Sequence, residues 1–494
     1  MLKRTIFVVM AASLGLFAQQ QPGPAPAGGN AQQQHSLKGV VLKNQAPVSA
    51  EVLKPKLPRP VERKLKNGLP LVIFENRRVP TVMIDLVLPA STLSDPSGRP
   101  GVAAATAELL KSGTPTRNSR QISERLSDLG ASLNVYAETG ARSTHLTAST
   151  LSENLDETLD ILADVLLNPA FPQDELDKWK NRTMTFLQQA RSQEFFLGNE
   201  MQMKVLYPKD ARSVIAPTME SIKKITREDL NAYYKKYYRP GNSILGVTGD
   251  VGVKEIVAKL EARLARWESG TVEEPKLPFE PPIAEKKILL INRPSSVQTY
   301  LMFTNRAIDR MHPDYVAVQV MNRVLGAGPS ARLFRNIRED KGYSYGVGSG
   351  FAALRYMHHF NANGSVRTEV TGPAIDEFLK EFADIRDRAV PKDELENAKR
   401  AIVAGFALGL ENQQGVLRQT LLLREYKLPD DYWDKYPERV MAITAEDVQR
   451  VARKYIPLEN AQLIAVGDAA KVKEVLMKYG PVELYNPEGQ KIPE

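Results

Sequence analysis

The chain has 494 residues, 43% hydrophobic and 25% charged, a composition that fits about two to three globular domains. Its formal charge of +8 is spread over stretches of mixed sign, with no basic run carrying interleaved aromatics, which argues against a nucleic-acid interface. The absence of cysteine excludes disulfides, thiolate metal sites and a cysteine nucleophile.

Taken in order, Lys3-Arg4 ahead of the apolar stretch 5–18 reads as a secretory signal over 1–18. That stretch is short for a membrane span. Export to the periplasm is therefore expected, with no stable span after cleavage; a retained anchor is the competing reading. Residues 19–55 open with a tract of Gln, Pro, Gly and Ala that cannot bury a core, and read as a disordered tether. A first domain is expected over 56–268. Asn67-Gly68 between two apolar runs marks a hairpin, and strands are expected at 82–88, 132–137, 143–150 and 243–248. Helices are expected over 102–111 ahead of Gly113, 119–129 ahead of Gly130, 154–167, 174–191, and 226–237 with Thr226 as its cap. Prolines at 275, 278, 281 and 282 make 269–285 an extended, semi-rigid linker. A second domain follows over 286–494, opening with a strand at 287–292.

The chain also repeats itself. Pro172-Gln173-Asp174-Glu175-Leu176 returns 219 positions later as Pro391-Lys392-Asp393-Glu394-Leu395. Ile225-Thr226-Arg227-Glu228-Asp229-Leu230 returns as Ile443-Thr444-Ala445-Glu446-Asp447-Val448, and Gly249-Asp250 as Gly467-Asp468, both 218 later. A repeat this long is a duplicated domain. Each half mixes hairpin-like strands with helices. The expected fold is therefore α+β: two homologous layered sheet-and-helix domains, joined by the Pro-rich linker and facing each other across a cavity.

The stretch from Gly101 to Thr114 reads Gly-Val-Ala-Ala-Ala-Thr-Ala-Glu-Leu-Leu-Lys-Ser-Gly-Thr. It resembles the zinc-binding helix of the pitrilysin/insulinase family, the inverzincin metallopeptidases. The duplication, the Asn-Gly hairpin, Asn-Pro-Ala-Phe-Pro at 168–172 and the Gly-Asp strand ends extend the resemblance over nearly all of the ordered chain. In the family this frame carries His-x-x-Glu-His. Aligned on Gly101 and Gly113-Thr114, the histidine positions are Ala104 and Glu108, and the glutamate position is Ala107. Zinc catalysis needs imidazoles one turn apart and a carboxylate beside the metal-bound water, and alanine offers neither. No histidine lies between His35 and His145. The family's third ligand would fall near Thr185 or Phe186, where no acidic residue occurs between Asp177 and Glu194. No metal is expected on this chain. Glu108 reads either as a lone carboxylate in a pocket or as a paired helix charge.

In the second half, Ser330-Ala331-Arg332-Leu333-Phe334 leads into Arg338-Glu339-Asp340-Lys341-Gly342-Tyr343-Ser344-Tyr345. This is similar to the family's Ser-x-Arg-Leu-Phe helix and its Arg and Tyr seven residues apart. The resemblance implies that Arg338 and Tyr345 bind the substrate backbone and support the tetrahedral intermediate, with Tyr343 competing for the tyrosine role. A solvated arginine and a core tyrosine form the plain alternative. Asn134 and Ala137 lie on a strand that resembles the family's peptide-pairing edge, or on an ordinary internal strand. His358 and His359, adjacent on a strand, point to opposite faces and cannot share a metal. His145 and His312 are isolated, and Gly326-Ala327-Gly328 lacks the Gly-Lys-Ser/Thr of a phosphate loop.

The resemblance extends to mitochondrial-processing-peptidase-like and bacterial heterodimeric members. It implies a non-catalytic, substrate-binding subunit of an exported zinc metallopeptidase complex, inactive alone. Zinc is expected on a homologous partner subunit. A peptide- or protein-binding scaffold with no hydrolytic role is the alternative from another class, and a stand-alone peptidase with an unrecognised site is a third.

Overall fold

The computed structural model describes residues 53–140 and 143–493. The expected signal over 1–18 and nearly all of the 19–55 tether lie outside them. The first sheet holds β1 (Val61–Lys64), β2 (Pro70–Glu75), β3 (Thr81–Leu88), β4 (Ser132–Ala137), β5 (Thr144–Leu151) and β6 (Ile244–Gly249), in spatial order β1-β2-β6-β3-β5-β4. The second holds β7 (Lys287–Asn292), β8 (Gln298–Arg306), β9 (Ser344–Ala353), β10 (His358–Arg367), β11 (Gln462–Gly467) and β12 (Val482–Tyr485), in order β12-β7-β11-β8-β10-β9. Five positions match strand for strand. Only the outermost differs: β1 runs antiparallel to β2, whereas β12 runs parallel to β7.

The helices of the first half are α1 (Val102–Leu109), α2 (Ser119–Asp128), α3 (Leu155–Leu167), α4 (Gln173–Ala190), α5 (Glu194–Leu206), α6 (Met219–Lys224), α7 (Arg227–Tyr237) and α8 (Val253–Leu264). Those of the second are α9 (Tyr315–Leu325), α10 (Thr371–Asp387), α11 (Lys392–Gly409), α12 (Gln413–Glu425), α13 (Tyr436–Met441), α14 (Ala445–Tyr455) and α15 (Ala469–Met477). The repeated motifs are helix starts. Pro172 and Pro391 sit at the N-caps of α4 and α11, with acidic residues in each first turn. Thr226 and Thr444 cap α7 and α14 through reciprocal bonds with Asp229 and Asp447.

Strand alternation divides each sheet between two packing partners. Leu71, Ile73, Ile84, Leu86, Leu245 and Val247 join the core beneath the first half's own helices. Val72, Phe74 and Val87 point the other way and pack with Leu417 and Leu421 of α12, a helix of the second half. The second sheet mirrors this: Leu289, Ile291, Met302, Ile464 and Val466 are covered by Leu197 and Met201 of α5, a helix of the first half. The halves therefore exchange one helix each, and the space between the sheets on this side is filled by α5 and α12.

Two glycines allow the close approaches. A Cβ at Gly198 of α5 would stand 2.5 Å from Tyr300 Cε1, and one at Gly246 of β6 would stand 2.6 Å from Leu417 Cδ1. The linker runs pinned across the molecule rather than free of it. Arg212, almost fully buried, holds Asp210, Glu280 and the carbonyls of Pro278 and Tyr356. Asn305 clasps the backbone of Ile283 through both its amide oxygen and nitrogen.

Candidate functional site

The helix that carries the metal ligands in the family begins at a half-buried carboxylate. Asp95 accepts from the backbone N–H of Gly101 (2.7 Å) and Ala103 (2.6 Å), capping α1. Gly101 sits at φ 105°, and a Cβ there would stand 2.8 Å from Pro217. Burial pushes the Asp95 carboxyl up to about 6, against the two N–H bonds that favour its charged form. A raised folded value means the native state binds the proton more tightly. Its stabilising share is therefore full below the unfolded value of 3.8 and lost as pH rises through about 6. We expect Asp95→Asn to remove this decline, so that its melting temperature falls less steeply than the wild type's between pH 4 and 6. Parallel slopes would refute it.

Along α1, Ala104 is half-buried and Ala107 fully buried. Glu108 is a paired charge: its carboxylate accepts from Trp179 Nε1 at 2.8 Å and from Arg182 Nη2 at 2.9 Å, both on α4. Thr185 and Phe186 are exposed, and the Thr185 hydroxyl donates to the carbonyl of Asn181. A divalent cation needs several converging donors, and this place offers methyl groups and one carboxylate already engaged. Zinc does not fit these residues. Among the described residues, no group of three or more His, Cys, Asp or Glu could hold a metal ion.

Strand β4 is the edge of its sheet, which answers the question its sequence left open. Its backbone parity is readable. Glu138 N donates inward to Ser143 O, so the even residues, Asn134 included, turn their backbone groups toward β5. Leu133, Val135 and Ala137 turn theirs to the open edge. Lys111, at the end of the α1 segment, already donates to Leu133 O at 2.9 Å. Ala137 thus keeps an edge-facing backbone, whereas Asn134 offers only its exposed side chain.

In the second half, Phe334–Asp340 forms a π-helical segment that ends near Gly342, at φ 62°. Wide helical turns of this kind concentrate at functional places. The Arg338 Cζ lies 4.5 Å from the ring centroid of Phe334 and 5.3 Å from that of Tyr345. Tyr345 is 70% exposed, and Arg338 Nε lies 3.6 Å from the Glu339 carboxylate. A guanidinium held against aromatic rings keeps N–H donors for a carbonyl or carboxylate. Tyr343 is instead partly buried against the second core, so Tyr345 is the tyrosine whose ring stands beside Arg338. Phe334, Trp179 and Arg182 were not singled out from sequence. Phe334 lies four residues before Arg338, the helical spacing that could have flagged it.

His145, His358 and His359 stand in packed surroundings. His145 Nδ1 pairs with Asp85 at 2.9 Å and its ring stacks on Tyr136. His358 and His359 are both buried, and burial pushes His359 down to about 4, so it stays neutral at pH 7. Ala104, Glu108, Asn134 and Ala137 all belong to the first half, while Arg338 and Tyr345 belong to the second.

Residues 71–207 match the insulinase family (peptidase family M16), and residues 224–402 match the peptidase M16 inactive domain. The chain belongs to the M16 family. It is 23% identical over 400 residues to an uncharacterised zinc protease, YmxG, of Bacillus subtilis, covering 79% of this chain and 94% of that one. To a protein of Helicobacter pylori named non-peptidase homolog YmxG it is 24% identical over 411 residues, covering 82% and 93%. The beta subunit of the mitochondrial-processing peptidase of Caenorhabditis elegans is 22% identical over 431 residues, covering 81% and 87%. Among solved structures, a peptidase M16 inactive domain from Pseudomonas fluorescens superposes with a TM-score of 0.77 at 25% identity, covering 83% of this chain and 98% of that one. A protease from Helicobacter pylori gives 0.74 at 16%, covering 83% and 100%. The M16 fold is thus present in both halves.

Proposed function

We propose that this chain is a non-catalytic, peptide-binding M16 subunit, exported from the cell, that works beside a homologous partner carrying the zinc. The observation that carries the reading is the Arg338–Tyr345 pair. A half-buried guanidinium and an exposed phenol stand 5.3 Å apart, on a chain with Ala104 and an occupied Glu108 at the family's histidine positions and Ala107 at its glutamate position. A guanidinium and a phenol suit the carbonyls of an extended peptide and the charge that develops on one during hydrolysis. The edge of β4 supplies a second means of holding such a peptide, by backbone pairing at Val135 and Ala137. The relatedness to a processing-peptidase beta subunit supports a two-chain arrangement.

Co-expression with a homologous chain that keeps His-x-x-Glu-His, followed by cleavage of a fluorogenic peptide, tests this. Arg338→Ala is expected to lower kcat/KM of the pair by about 100-fold, the effect of removing one donor to a developing oxyanion. An unchanged rate in a stable complex would overturn the proposal. The scaffold reading, with no hydrolytic role, draws on the Helicobacter relative being named a non-peptidase homolog. It predicts peptide binding by this chain without cleavage in any pairing.

A further inference from the structure

The strand that carries Tyr345 is not regular. Pairing between β9 and β10 matches Val347 with Gly364 and Ser344 with Val366. Three steps along β9 therefore oppose two along β10, so Tyr345 and Gly346 share one partner, Ser365. This is a β-bulge on an edge strand, a device that re-aims a side chain. Ser344 fastens it. Its hydroxyl, 8% exposed as a residue, lies 2.7 Å from Gly346 O and 2.8 Å from Ser365 O, which share its one proton, and it accepts from Gly346 N at 3.1 Å. The bulge is thus tied both to itself and to β10. Gly364 makes room opposite: a Cβ there would stand 2.9 Å from Gly346 O. On the other side of the turn, Arg367 holds the loop by donating from its backbone to Tyr343 O and from its side chain to Gly342 O.

We infer that Ser344 is a positioning residue for the Arg338–Tyr345 pair, its buried hydroxyl pinning the bulge that turns the Tyr345 ring outward over the guanidinium. The inference rests on the peptide-binding reading above. Ser344 touches no peptide itself; it acts through Tyr345. An unpinned bulge lets the edge strand return to regular pairing, which moves Tyr345 away from Arg338.

The test is the affinity of the full chain for a fluorescein-labelled β-casein peptide by fluorescence anisotropy, with melting curves to show that each variant folds. Ser344→Ala is expected to weaken binding about fivefold to tenfold, the loss of one net hydrogen bond's worth of positioning. Ser344→Thr, which keeps the hydroxyl, should bind as the wild type does. Because Ser344 acts through Tyr345, the double variant Ser344→Ala/Tyr345→Ala should bind no more weakly than Tyr345→Ala alone. Gly364→Ala pushes on the bulge from β10 and gives an independent probe, expected to weaken binding in the same direction. Binding by folded Ser344→Ala and Gly364→Ala that equals the wild type overturns the inference, as does additive loss in the double variant. If Tyr345→Ala itself binds as the wild type does, the peptide-binding reading falls, and this inference with it. If only the Tyr345 variant is weak, the reading stands and Ser344 has no part in it.

Discussion

Leu417→Ala is expected to lower the unfolding free energy by about 2–5 kcal/mol, the range for truncating a buried leucine. The loss should fall on both halves in one transition. Leu417 is 3% exposed and sits on α12, whose backbone belongs to the second half while its apolar face covers Val72, Phe74 and Val87 of the first sheet. Truncation opens a cavity at that junction and weakens the packing of each half at once. Scanning calorimetry measures it: a single endotherm shifted to lower temperature is the expected result. Two endotherms, with only one displaced, would show that α12 does not couple the halves.

The second large effect concerns the repeated Gly-Asp pair. Gly249→Ala is expected to cost about 3–5 kcal/mol, from backbone strain and overpacking together. Gly249 lies at φ 138°, and a Cβ there would meet the Thr81 carbonyl oxygen at 2.1 Å and Val82 Cα at 2.7 Å. Both are backbone atoms of the neighbouring strand, so nothing can rotate out of the way. Gly467 occupies the equivalent place in β11, yet a Cβ there would meet the Thr299 side chain at 3.1 Å and its Cα only at 3.5 Å, an ordinary contact. Gly467→Ala should therefore cost about 1 kcal/mol or less, the relaxation of one side chain. Chemical denaturation of the two variants in parallel checks the contrast, and equal losses would contradict it. The aspartates differ as well: Asp250 accepts from Ser152, whereas Asp468 caps α15 through Ala470 N.

These pairs show what the sequence made legible. The Thr226 cap and the Asn67-Gly68 hairpin are local devices, set by a few neighbouring residues, and the structure places them where they were expected; the repeat carries the same devices to Thr444 and the Pro172 and Pro391 helix starts. The altered site was readable for the same reason, since alanine at 104 cannot bind a metal and alanine at 107 cannot take a proton in any conformation. What lay beyond reach depends on distant partners. Nothing local says that Glu108 would take its donors from Trp179 and Arg182, some seventy residues on. The strand parity that favours Ala137 over Asn134 follows from a single cross-strand bond at Glu138. Helices α5 and α12 were not among the expected elements, and that their apolar faces cover the sheet of the other half is a relation periodicity cannot carry.

That exchange bears on the history of the chain. Half of it, alone, would leave one sheet face bare, a face that a twin copy could cover by trading helices. The present halves are poorly matched for such twins. Gly198 corresponds in the repeat to Leu417, and Gly246 to Ile464. Two copies of the first half would set glycine over glycine and leave a hole, while two copies of the second would drive leucine into isoleucine. Each half has become the mould of the other, so its natural partner is the other half and not a copy of itself.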